Sequence, residues 1–304
     1  MKILNFGSLN LDYVYAVDHF VAEGETLASA RRDTFCGGKG LNQSVALARA
    51  GARVYHAGSV GPEGDMLTDM LLCAGVNVKH VRKVDVPTGH AIIQVDTKGR
   101  NCILLFGGAN QQNDPAYIDE VLTDFEAGDW LVLQNEISSL SHLIAAAKAK
   151  GMTVVLNPSP FDQSLIAAGL GQVDYLLLNE TEGKQLTGHE SPAGILDAIR
   201  ASYPTLKVVL TLGKDGCVYD DGEIRVSHGI YDVPAVDTTA AGDTFTGFFI
   251  SAICAGDSPA DAIRRASAAS AIAVSRPGAA PSVPTAAEVD GFLAANTPCP
   301  APAI

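Results

Sequence analysis

The sequence predicts an α/β fold in which a mostly parallel central sheet is flanked by helices on both faces. Short, continuous apolar runs such as Thr153–Asn157 and Tyr175–Asn179 alternate with helical segments, which is typical of parallel strands buried on both faces. The chain has 304 residues, of which 47% are hydrophobic and 18% charged, so it can bury a large core. At roughly 100–200 residues per domain, this length predicts two domains or one large domain with an appendage.

The elements of the core follow from the periodicity of apolar residues. Strands are predicted over residues 1–7, 130–133, 153–157, 175–179 and 207–212. Helices are predicted over residues 141–150, 180–187, 242–255, 259–275 and 285–295. Gly151 and Gly188 follow two of these helices, at the position where glycine commonly ends a helix. Thr285 and Glu288 have the spacing of a capping box at the start of the last one.

Two segments interrupt this alternation. Residues 90–96 and 101–106 form strand-like runs around a glycine-containing turn, which predicts a β-hairpin, and residues 12–35 also contain strand-like sequence. We expect them to pair into a small sheet that acts as a lid over a site. The predicted core therefore comprises residues 1–11, 36–87 and 108–304, and the predicted lid comprises 12–35 and 88–107. The proline-rich residues 297–302 are predicted to be frayed.

Charge, hydropathy and cysteine content disfavour several classes of partner and indicate a cellular compartment. The net charge of −13 disfavours nucleic acids and anionic membranes as main partners. No apolar run approaches ~18 residues, so no membrane span is predicted, and the amino terminus is too short in apolar residues for a signal peptide. The six cysteines contain no Cys-x-x-Cys pair and are predicted to be reduced and mostly buried, as in a cytoplasmic protein. The seven histidines contain no i, i+4 pair, which gives a zinc site little support.

The segment 236–247 is the most informative for chemistry. Small residues at 240–242 allow a ligand to approach the backbone, and a helix that begins near Gly242 presents free N–H groups to an anion. Asp243 would then be an acid beside a phosphate, where a general base for an attacking hydroxyl would have a function. Alternatively, Asp243 only complements the helix dipole.

A second glycine-rich segment, 35–44, contains Gly37, Gly38 and Gly40 together with the donors Lys39 and Asn42. It lacks the spacing of a Walker A loop, and no Gly-x-Gly-x-x-Gly fingerprint follows a strand. The alternative here is a flexible turn with a solvated lysine.

Two polar pairs lie at predicted strand ends. Asn10 and Asp12 follow the first strand and could chelate neighbouring hydroxyls, although Asx residues also form ordinary turns. Asn179 and Glu182 could hold Mg²⁺ through water, or could simply begin a helix.

Taken in order, these segments resemble the ribokinase-like family of sugar kinases from Gly7 to Pro284. The resemblance is carried by Gly37-Gly38-Lys39-Gly40-x-Asn42-Gln43, Asn157-Pro158, Asn179-Glu180-Thr181-Glu182, Thr211-Leu212-Gly213-x-x-Gly216 and Asp237-Thr238-x-Ala240-Ala241-Gly242-Asp243-Thr244-Phe245. Within the family, the ribokinase branch is most similar, because Asn10, Asp12, Glu136 and Arg276-x-Gly278-Ala279-x-Pro281-Ser282 also fit.

The resemblance implies a fold, a reaction and a set of site residues. The fold is ribokinase-like, and the reaction is ATP-dependent phosphorylation of a primary hydroxyl, with D-ribose at O5 as the expected substrate. Asp243 would be the base, and the loop from Ala240 through Ala241 and Gly242 to Asp243 would form the anion hole for the γ-phosphoryl group. The implied sugar contacts are Asn10, Asp12, Gly37, Gly38, Lys39, Asn42, Glu136 and Asp243. The implied ATP contacts are Asn179, Thr211, Leu212, Gly213, Lys214, Asp215, Gly216, Gly242 and Ser267.

Two metal ions and a dimer are also implied. Mg²⁺ would accompany ATP near Asn179 and Glu182, through water. K⁺ would be held beside the anion hole, mostly by carbonyl oxygens, at Asp237, Thr239, Ala273, Arg276, Gly278 and Ser282. The lid would form the interface of a homodimer. His90 departs from the family pattern, which has a small apolar residue there, and could face either the sugar or the outside.

Other functions remain open at this point. The same reaction could act on deoxyribose, a ketohexose, 2-keto-3-deoxygluconate or a nucleoside. A non-catalytic sugar sensor would have lost the base, the anion hole or the lysine, and all three are present. A Rossmann-type oxidoreductase would need the dinucleotide fingerprint that is missing.

Overall fold

The computed structural model describes all residues from 1 to 304 and confirms the predicted fold class. The strands are β1 (Ile3–Phe6), β2 (Asn10–Ala16), β3 (Arg31–Gly37), β4 (Val54–Val60), β5 (Asn77–Lys83), β6 (Gly89–Val95), β7 (Asn101–Phe106), β8 (Trp130–Gln134), β9 (Thr153–Asn157), β10 (Tyr175–Asn179), β11 (Lys207–Thr211), β12 (Cys217–Asp220) and β13 (Arg225–His228). The α-helices are α1 (Lys39–Arg49), α2 (Asp65–Cys73), α3 (Pro115–Leu122), α4 (Leu140–Ala149), α5 (Ser164–Ala167), α6 (Glu180–Thr187), α7 (Pro192–Ser202), α8 (Ala241–Ala255), α9 (Pro259–Val274) and α10 (Ala286–Ala295).

Nine strands form the central sheet, in the order β13-β12-β11-β10-β9-β8-β1-β4-β5. All neighbouring strands from β11 to β5 pair in parallel, whereas β12 pairs antiparallel with both of its neighbours, β11 and β13. The sheet separates two hydrophobic cores of 37 and 31 buried residues, so both of its faces are covered. In β9, for example, Val155 belongs to one core and Val154 and Leu156 to the other, which explains why this strand is a continuous apolar run.

The two segments that interrupt the alternation pair into a separate four-stranded sheet, in the order β3-β2-β6-β7. The central pair, β2 and β6, is parallel, and the outer pairs are antiparallel, with β6 and β7 as the predicted hairpin. The strands begin at Asn10 and end at Gly37, slightly beyond the predicted lid segment 12–35. Large apolar side chains remain exposed on this sheet, among them Ile103, Leu104 and Phe106.

Two expectations from the sequence are wrong. The carboxyl-terminal tail is docked rather than frayed: the Cys299 N–H donates to the Ile230 carbonyl at 2.7 Å, and the Ser227 hydroxyl donates to the Pro302 carbonyl at 3.1 Å. An extended proline-rich segment can pair with neighbouring backbone through its remaining polar groups, which composition does not reveal. The cysteines are free as predicted, but only Cys36 and Cys217 are buried, and Cys73 and Cys102 are exposed.

None of the helices combines the length and the apolar character that crossing a bilayer requires.

Candidate active site

Two adjoining cavities open beside the amino terminus of α8. One, of about 250 Å³, contains the side chains of Lys39, Glu182 and Asp243. The other, of about 410 Å³, is more apolar and lies towards β13. Ala241 and Gly242 line both cavities, so a ligand that spans them must pass the first turn of this helix.

The first turn of α8 lacks a side-chain cap. Ala240 precedes the helix in the left-handed conformation, with φ 58° and ψ 12°, and it is one of only two non-glycine residues with positive φ. Such a conformation costs on the order of 1 kcal/mol for an L-residue. The backbone N–H groups of Gly242 and Asp243 have no carbonyl partner, whereas that of Ala241 donates to the Thr238 carbonyl at 3.3 Å. The predicted anion hole is therefore most open at Gly242 and Asp243.

Asp243 is buried and is held by two amide side chains of α1. Asn42 Nδ2 donates to Asp243 Oδ2 and Gln43 Nε2 donates to Asp243 Oδ1, each at 3.0 Å. The sequence pointed to Asn42 as a sugar contact and assigned no role to Gln43. The signal that could have indicated Gln43 is its place inside the glycine-rich segment 35–44, next to Asn42. Asn42 Oδ1 is buried without a hydrogen-bond partner, so it can still accept a hydrogen bond from a ligand hydroxyl.

Lys39 is the cation of the first cavity. Burial by itself lowers the pKa of Lys39, but the carboxylates of Asp243, Glu136 and Glu182 more than offset this effect and raise it. Lys39 is therefore a charged ammonium that faces three acids. This arrangement suits a phosphate, whose negative charge would otherwise be opposed by those acids.

The predicted sugar residues meet where the small sheet joins the core. Asn10 pairs with Gly37 in neighbouring strands, and a Cβ added at Gly37 would lie 2.0 Å from Asp12 Oδ2, so glycine leaves the room that Asp12 occupies. Glu136, just after β8, accepts hydrogen bonds from the Ser8 hydroxyl and from the Lys39 N–H, the latter at 3.2 Å. These groups form a polar cluster around the amino terminus of α1.

The acids in this cluster are shifted towards their protonated forms. Burial, and next the negative charge of Glu136, raise the pKa of Asp12 to about 7. Burial also raises the pKa of Glu136, which the Ser8 hydroxyl and Lys39 only partly offset. The carboxyl groups of Asp12 and Glu136 thus lie in a poorly solvated site, where sugar hydroxyls could replace water as hydrogen-bond partners.

Asn110 was not predicted from the sequence, yet it orients Asn10. Asn110 Nδ2 donates to Asn10 Oδ1 at 2.7 Å, while Asn110 Oδ1 accepts from the Leu9 N–H at 2.9 Å. Because the oxygen of the Asn10 amide is thereby engaged, its nitrogen is left to donate to a ligand.

His90 lies on the other face of the small sheet from Asp12. In the register of β2 and β6, His90 is paired with Leu11, and Ala91 is paired with Asp12. The His90 ring packs against Tyr13 and Phe106, at centroid distances of 5.7 and 5.0 Å. It therefore does not accompany the predicted sugar contacts.

The second cavity combines a glycine turn with apolar walls. Gly213, Lys214, Gly216 and Ser267 line it, as do Ile230 and Tyr231. A Cβ added at Gly216, where φ is +100°, would lie 2.1 Å from the His228 carbonyl oxygen, so this position requires glycine. Such a slot suits a flat, largely apolar group such as a nucleotide base.

Two of the predicted nucleotide contacts do not line either cavity. Leu212 is buried in the hydrophobic core. Asp215 lies in a short 3₁₀ turn, and its backbone N–H donates to the Leu212 carbonyl. An apolar residue at a strand end is more readily buried than exposed to a polar ligand, which motif position alone did not distinguish.

Asn179 and Glu182 form a capping box at the start of α6. Asn179 Oδ1 accepts from the Glu182 N–H at 2.9 Å, and Glu182 Oε2 accepts from the Asn179 N–H at 3.0 Å. Asn179 and Glu182 therefore do begin a helix, which was the alternative to a Mg²⁺ site. Glu182 is also buried, however, and lines the first cavity. Its Oε1 makes no protein hydrogen bond and fits a water of a hydrated Mg²⁺, which binds oxygen ligands and keeps several waters.

The predicted K⁺ residues come from the segment before α8, which holds Asp237 and Thr239, and from the end of α9 and the segment after it, which hold Ala273, Arg276, Gly278 and Ser282. Asp237 joins the two segments. Asp237 accepts hydrogen bonds from the Thr239 and Gly278 N–H groups, both at 2.9 Å. Burial alone would raise the pKa of Asp237, but these hydrogen bonds lower it overall. The Arg276 side chain points away to Glu288 at 2.7 Å, so only its backbone could contribute to such a site.

Comparison with known proteins identifies relatives along nearly the whole chain. A model of the pfkB family carbohydrate kinases matches residues 1–286. Ribokinase from Haemophilus influenzae is 37% identical over 298 residues, covering 94% of this chain and 96% of the relative. The solved ribokinase of Thermotoga maritima superposes with a TM-score of 0.88 at 33% identity, covering 97% of this chain and 99% of that chain. The Arabidopsis thaliana ribokinase complexed with ribose and ATP has a TM-score of 0.86 at 31% identity, covering 96% and 98% of the respective chains.

Proposed function

Because this chain belongs to the pfkB family of carbohydrate kinases, we propose that it transfers the γ-phosphoryl group of ATP to a small sugar, D-ribose at O5. The observation that carries the proposal is the position of Asp243. It is a buried carboxylate beside free N–H groups, at the turn that separates a polar cavity from an apolar one.

In the proposed reaction, the sugar hydroxyl oxygen attacks the γ-phosphorus of ATP and ADP leaves. Asp243 accepts the proton of that hydroxyl, so the nucleophile gains charge as the new P–O bond forms. The N–H groups of Gly242 and Asp243 would stabilise the oxygens of the phosphoryl group during transfer, and Lys39 would balance its charge. Most of the rate enhancement would then come from positioning and electrostatics.

The sugar would lie between the small sheet and α1. Asp12 and Glu136 would accept hydrogen bonds from its hydroxyls, the Asn10 nitrogen would donate, and Asn42 Oδ1 would accept. A cluster with this many polar groups favours a polyhydroxylated sugar over a nucleoside base. ATP would occupy the two cavities, with its adenine in the apolar one near Ser267 and its phosphates at the first turn of α8.

Two cations are part of the proposal. Mg²⁺, when bound with ATP near Glu182 and Asn179, would neutralise phosphate charge. K⁺ would be held where the segment before α8 meets the end of α9 and the segment after it. The residues that would hold it, mostly through carbonyl oxygens, are Asp237, Thr239, Ala273, Arg276, Gly278 and Ser282. It would shape the anion hole and not react.

The small sheet, which corresponds to the predicted lid segments 12–35 and 88–107, would act as a lid and as a homodimer interface. The exposed apolar side chains Ile103, Leu104 and Phe106 support this role, because such a patch is unfavourable in water. Truncation of residues 90–106 should raise the sugar KM and weaken dimerisation, and sedimentation of the parent chain as a monomer would contradict the dimer. We also propose that the protein acts in the cytoplasm, where its six free cysteines stay reduced.

The proposed reaction is tested by measuring ADP release with ATP, Mg²⁺ and K⁺ on ribose, deoxyribose, fructose, 2-keto-3-deoxygluconate and adenosine. We expect ribose to be preferred, and the preference to be lost in Asp243→Asn. Turnover of another substrate would redirect the proposal within the same mechanism. Sugar binding by calorimetry without any turnover would indicate a sensor and overturn it.

The K⁺ site is tested separately by ion replacement. Exchange of K⁺ for Na⁺ should lower kcat, because the smaller ion would not support the same carbonyl cage. Equal kcat in both ions would remove the cation from the proposal.

The role of Asp12 is tested through pH. Because the pKa of Asp12 is raised to about 7, its acceptor form becomes dominant as pH rises through this value. The sugar dissociation constant, measured by calorimetry without ATP, should fall up to about 10-fold between about pH 6 and about pH 8. Asp12→Asn should bind more weakly and lose this dependence. A wild-type constant independent of pH would contradict the role.

A further inference from the structure

One buried group in the site has no role in the reaction as described. Gln43 is fully buried, and its amide nitrogen donates to Asp243 Oδ1 at 3.0 Å. Together with Asn42 it supplies one amide N–H to each oxygen of the carboxylate. A carboxylate held in this way keeps a single orientation, and its remaining lone pairs point in defined directions.

The orientation of the Gln43 amide is set from one side by a chain that begins at a backbone carbonyl. Asn5 Nδ2 donates to the Gly40 carbonyl at 2.8 Å, and this partner can only accept, so the Asn5 oxygen must face the other way. Gln134 Nε2 donates to that oxygen at 2.9 Å and to Gln43 Oε1 at 2.7 Å. The oxygen of Gln43 therefore faces Gln134, and its nitrogen faces Asp243.

A second chain sets the same orientation from the opposite side. Asn157 Nδ2 donates to the Leu177 carbonyl at 2.8 Å, so the Asn157 oxygen faces Gln43. Gln43 Nε2 donates to this oxygen at 3.3 Å, in addition to Asp243. Both hydrogens of the Gln43 nitrogen are then used, and a flipped amide would oppose oxygen to oxygen at two places.

The network also links elements that are far apart in the sequence. Asn5 lies on β1, Gln134 on β8 and Asn157 on β9, and all three side chains converge on the first two turns of α1. Asn5, Gln43 and Gln134 are fully buried, so solvent cannot replace the hydrogen bonds that join these three side chains. The sheet can therefore hold the carboxylate of α8 in place through α1.

We propose that Gln43 is a positioning residue for Asp243, and that Asn5 and Gln134 form an amide relay that keeps its donor aimed at the carboxylate. The inference rests on the proposed role of Asp243 as base. Gln43 contacts Asp243 and would touch neither the attacking hydroxyl oxygen nor the γ-phosphorus. Its contribution is that the base meets the attacking hydroxyl at one angle, and misplacement of a catalytic group by about 1 Å can cost on the order of 10²-fold in rate.

The test compares Gln43→Met, Gln134→Met and the double variant. Methionine keeps the volume and removes both polar ends. We expect Gln43→Met to lower kcat about 10–100-fold and Gln134→Met about 3–10-fold, with the KM values for ATP and sugar within about twofold of the parent. The double variant should lose no more than Gln43→Met alone, because Gln134 acts only through Gln43. Additive losses, or a loss confined to KM, would overturn the proposal.

Asp220→Asn is the control for a general loss of stability. Asp220 is also buried and hydrogen-bonded, to Arg200 and Arg225 at 2.7 and 2.6 Å, but it lies outside the site. Its substitution should lower the Tm and leave kcat unchanged. If Gln43→Met does not fold, an unchanged kcat in Gln134→Met overturns the relay. An inactive Asp243→Asn beside a fully active Gln43→Met refutes this inference alone, whereas a parent chain inactive on every sugar refutes the proposed function.

Discussion

The amino termini of α8 and α10 have the same pattern of small residues and an acid, and the structure uses them in opposite ways. Both helices have alanine at the first position and an acid at the third, Asp243 in α8 and Glu288 in α10. In α10 the preceding Thr285 closes a capping box, with Glu288 accepting the Thr285 N–H at 2.7 Å. In α8 the preceding residue is Ala240, which has no side-chain acceptor, and Asp243 turns away to α1.

Of these two helix ends, the one without a side-chain cap is the one that borders the candidate site. A closed box satisfies the first-turn N–H groups from within the chain, so nothing remains for a ligand. At α8 the fold forgoes about 1 kcal/mol of capping and accepts a left-handed Ala240. As a result, the N–H groups of Gly242 and Asp243 stay free, and the Asp243 side chain contacts α1 instead of capping its own helix. The α6 terminus is intermediate, because Glu182 caps its helix and still has a free oxygen in the cavity.

The largest expected effect is a difference in kcat between substitutions of Asp243 in α8 and of Glu288 in α10. Asp243→Asn should lower kcat about 10²–10⁴-fold with little change in ATP affinity, because the proposed general base is removed and the N–H groups remain. Glu288→Gln, at the equivalent position of α10, should leave kcat unchanged. Steady-state kinetics and ATP titration measure both. Near-normal turnover of Asp243→Asn would refute the base and erase the distinction between the helix ends.

A smaller effect is expected at the second helical position, which is Gly242 in α8 and Ala287 in α10. A Cβ added at Gly242 meets no atom within 4 Å, so Gly242→Ala should not destabilise the fold and could add up to about 1 kcal/mol. The added methyl would project into the open turn, where the phosphoryl group is proposed to bind.

We therefore expect Gly242→Ala to lower kcat/KM for ATP about 10–100-fold at an equal or higher Tm. Ala287→Gly is the matched control and should lower the Tm without a kinetic effect. If Gly242→Ala retained full activity, the open turn would not be a phosphoryl site.

The smallest effect concerns the closed end alone. The Thr285 N–H, and next Arg276, lower the pKa of Glu288 from its ordinary 4.5 to about 2. Its stabilisation is thus complete above pH 4.5 and is lost as pH falls towards 2. Thr285→Ala keeps the backbone N–H but removes the hydroxyl that donates to Glu288 Oε2 at 2.9 Å and accepts from the Glu288 N–H. It should therefore cost about 1 kcal/mol near neutral pH, and less in acid, without changing kcat. Thermal unfolding at several pH values measures this, and a loss independent of pH would show that Glu288 does not depend on Thr285.

The elements of the core were predictable because their signals are local. β9, β10 and α6 have the predicted limits, since a doubly buried strand must be apolar throughout and Gly188 ends α6 with φ +77°. The Thr285 capping box was also predictable, because both partners lie in one helical turn. The docking of the carboxyl-terminal tail was not predictable, because its partner Ile230 lies far away in the sequence.

By itself, the sequence determined the α/β class, the pairing of the two interrupting segments and the acid at the start of α8. It did so through apolar periodicity and the glycine-rich segments. Only the tertiary structure decided that Asp243 faces α1, that Asn110 orients Asn10, and that His90 turns away from Asp12. The physical reason is that hydrogen bonds between side chains depend on distances of about 3 Å between distant parts of the chain, which spacing along the sequence does not encode.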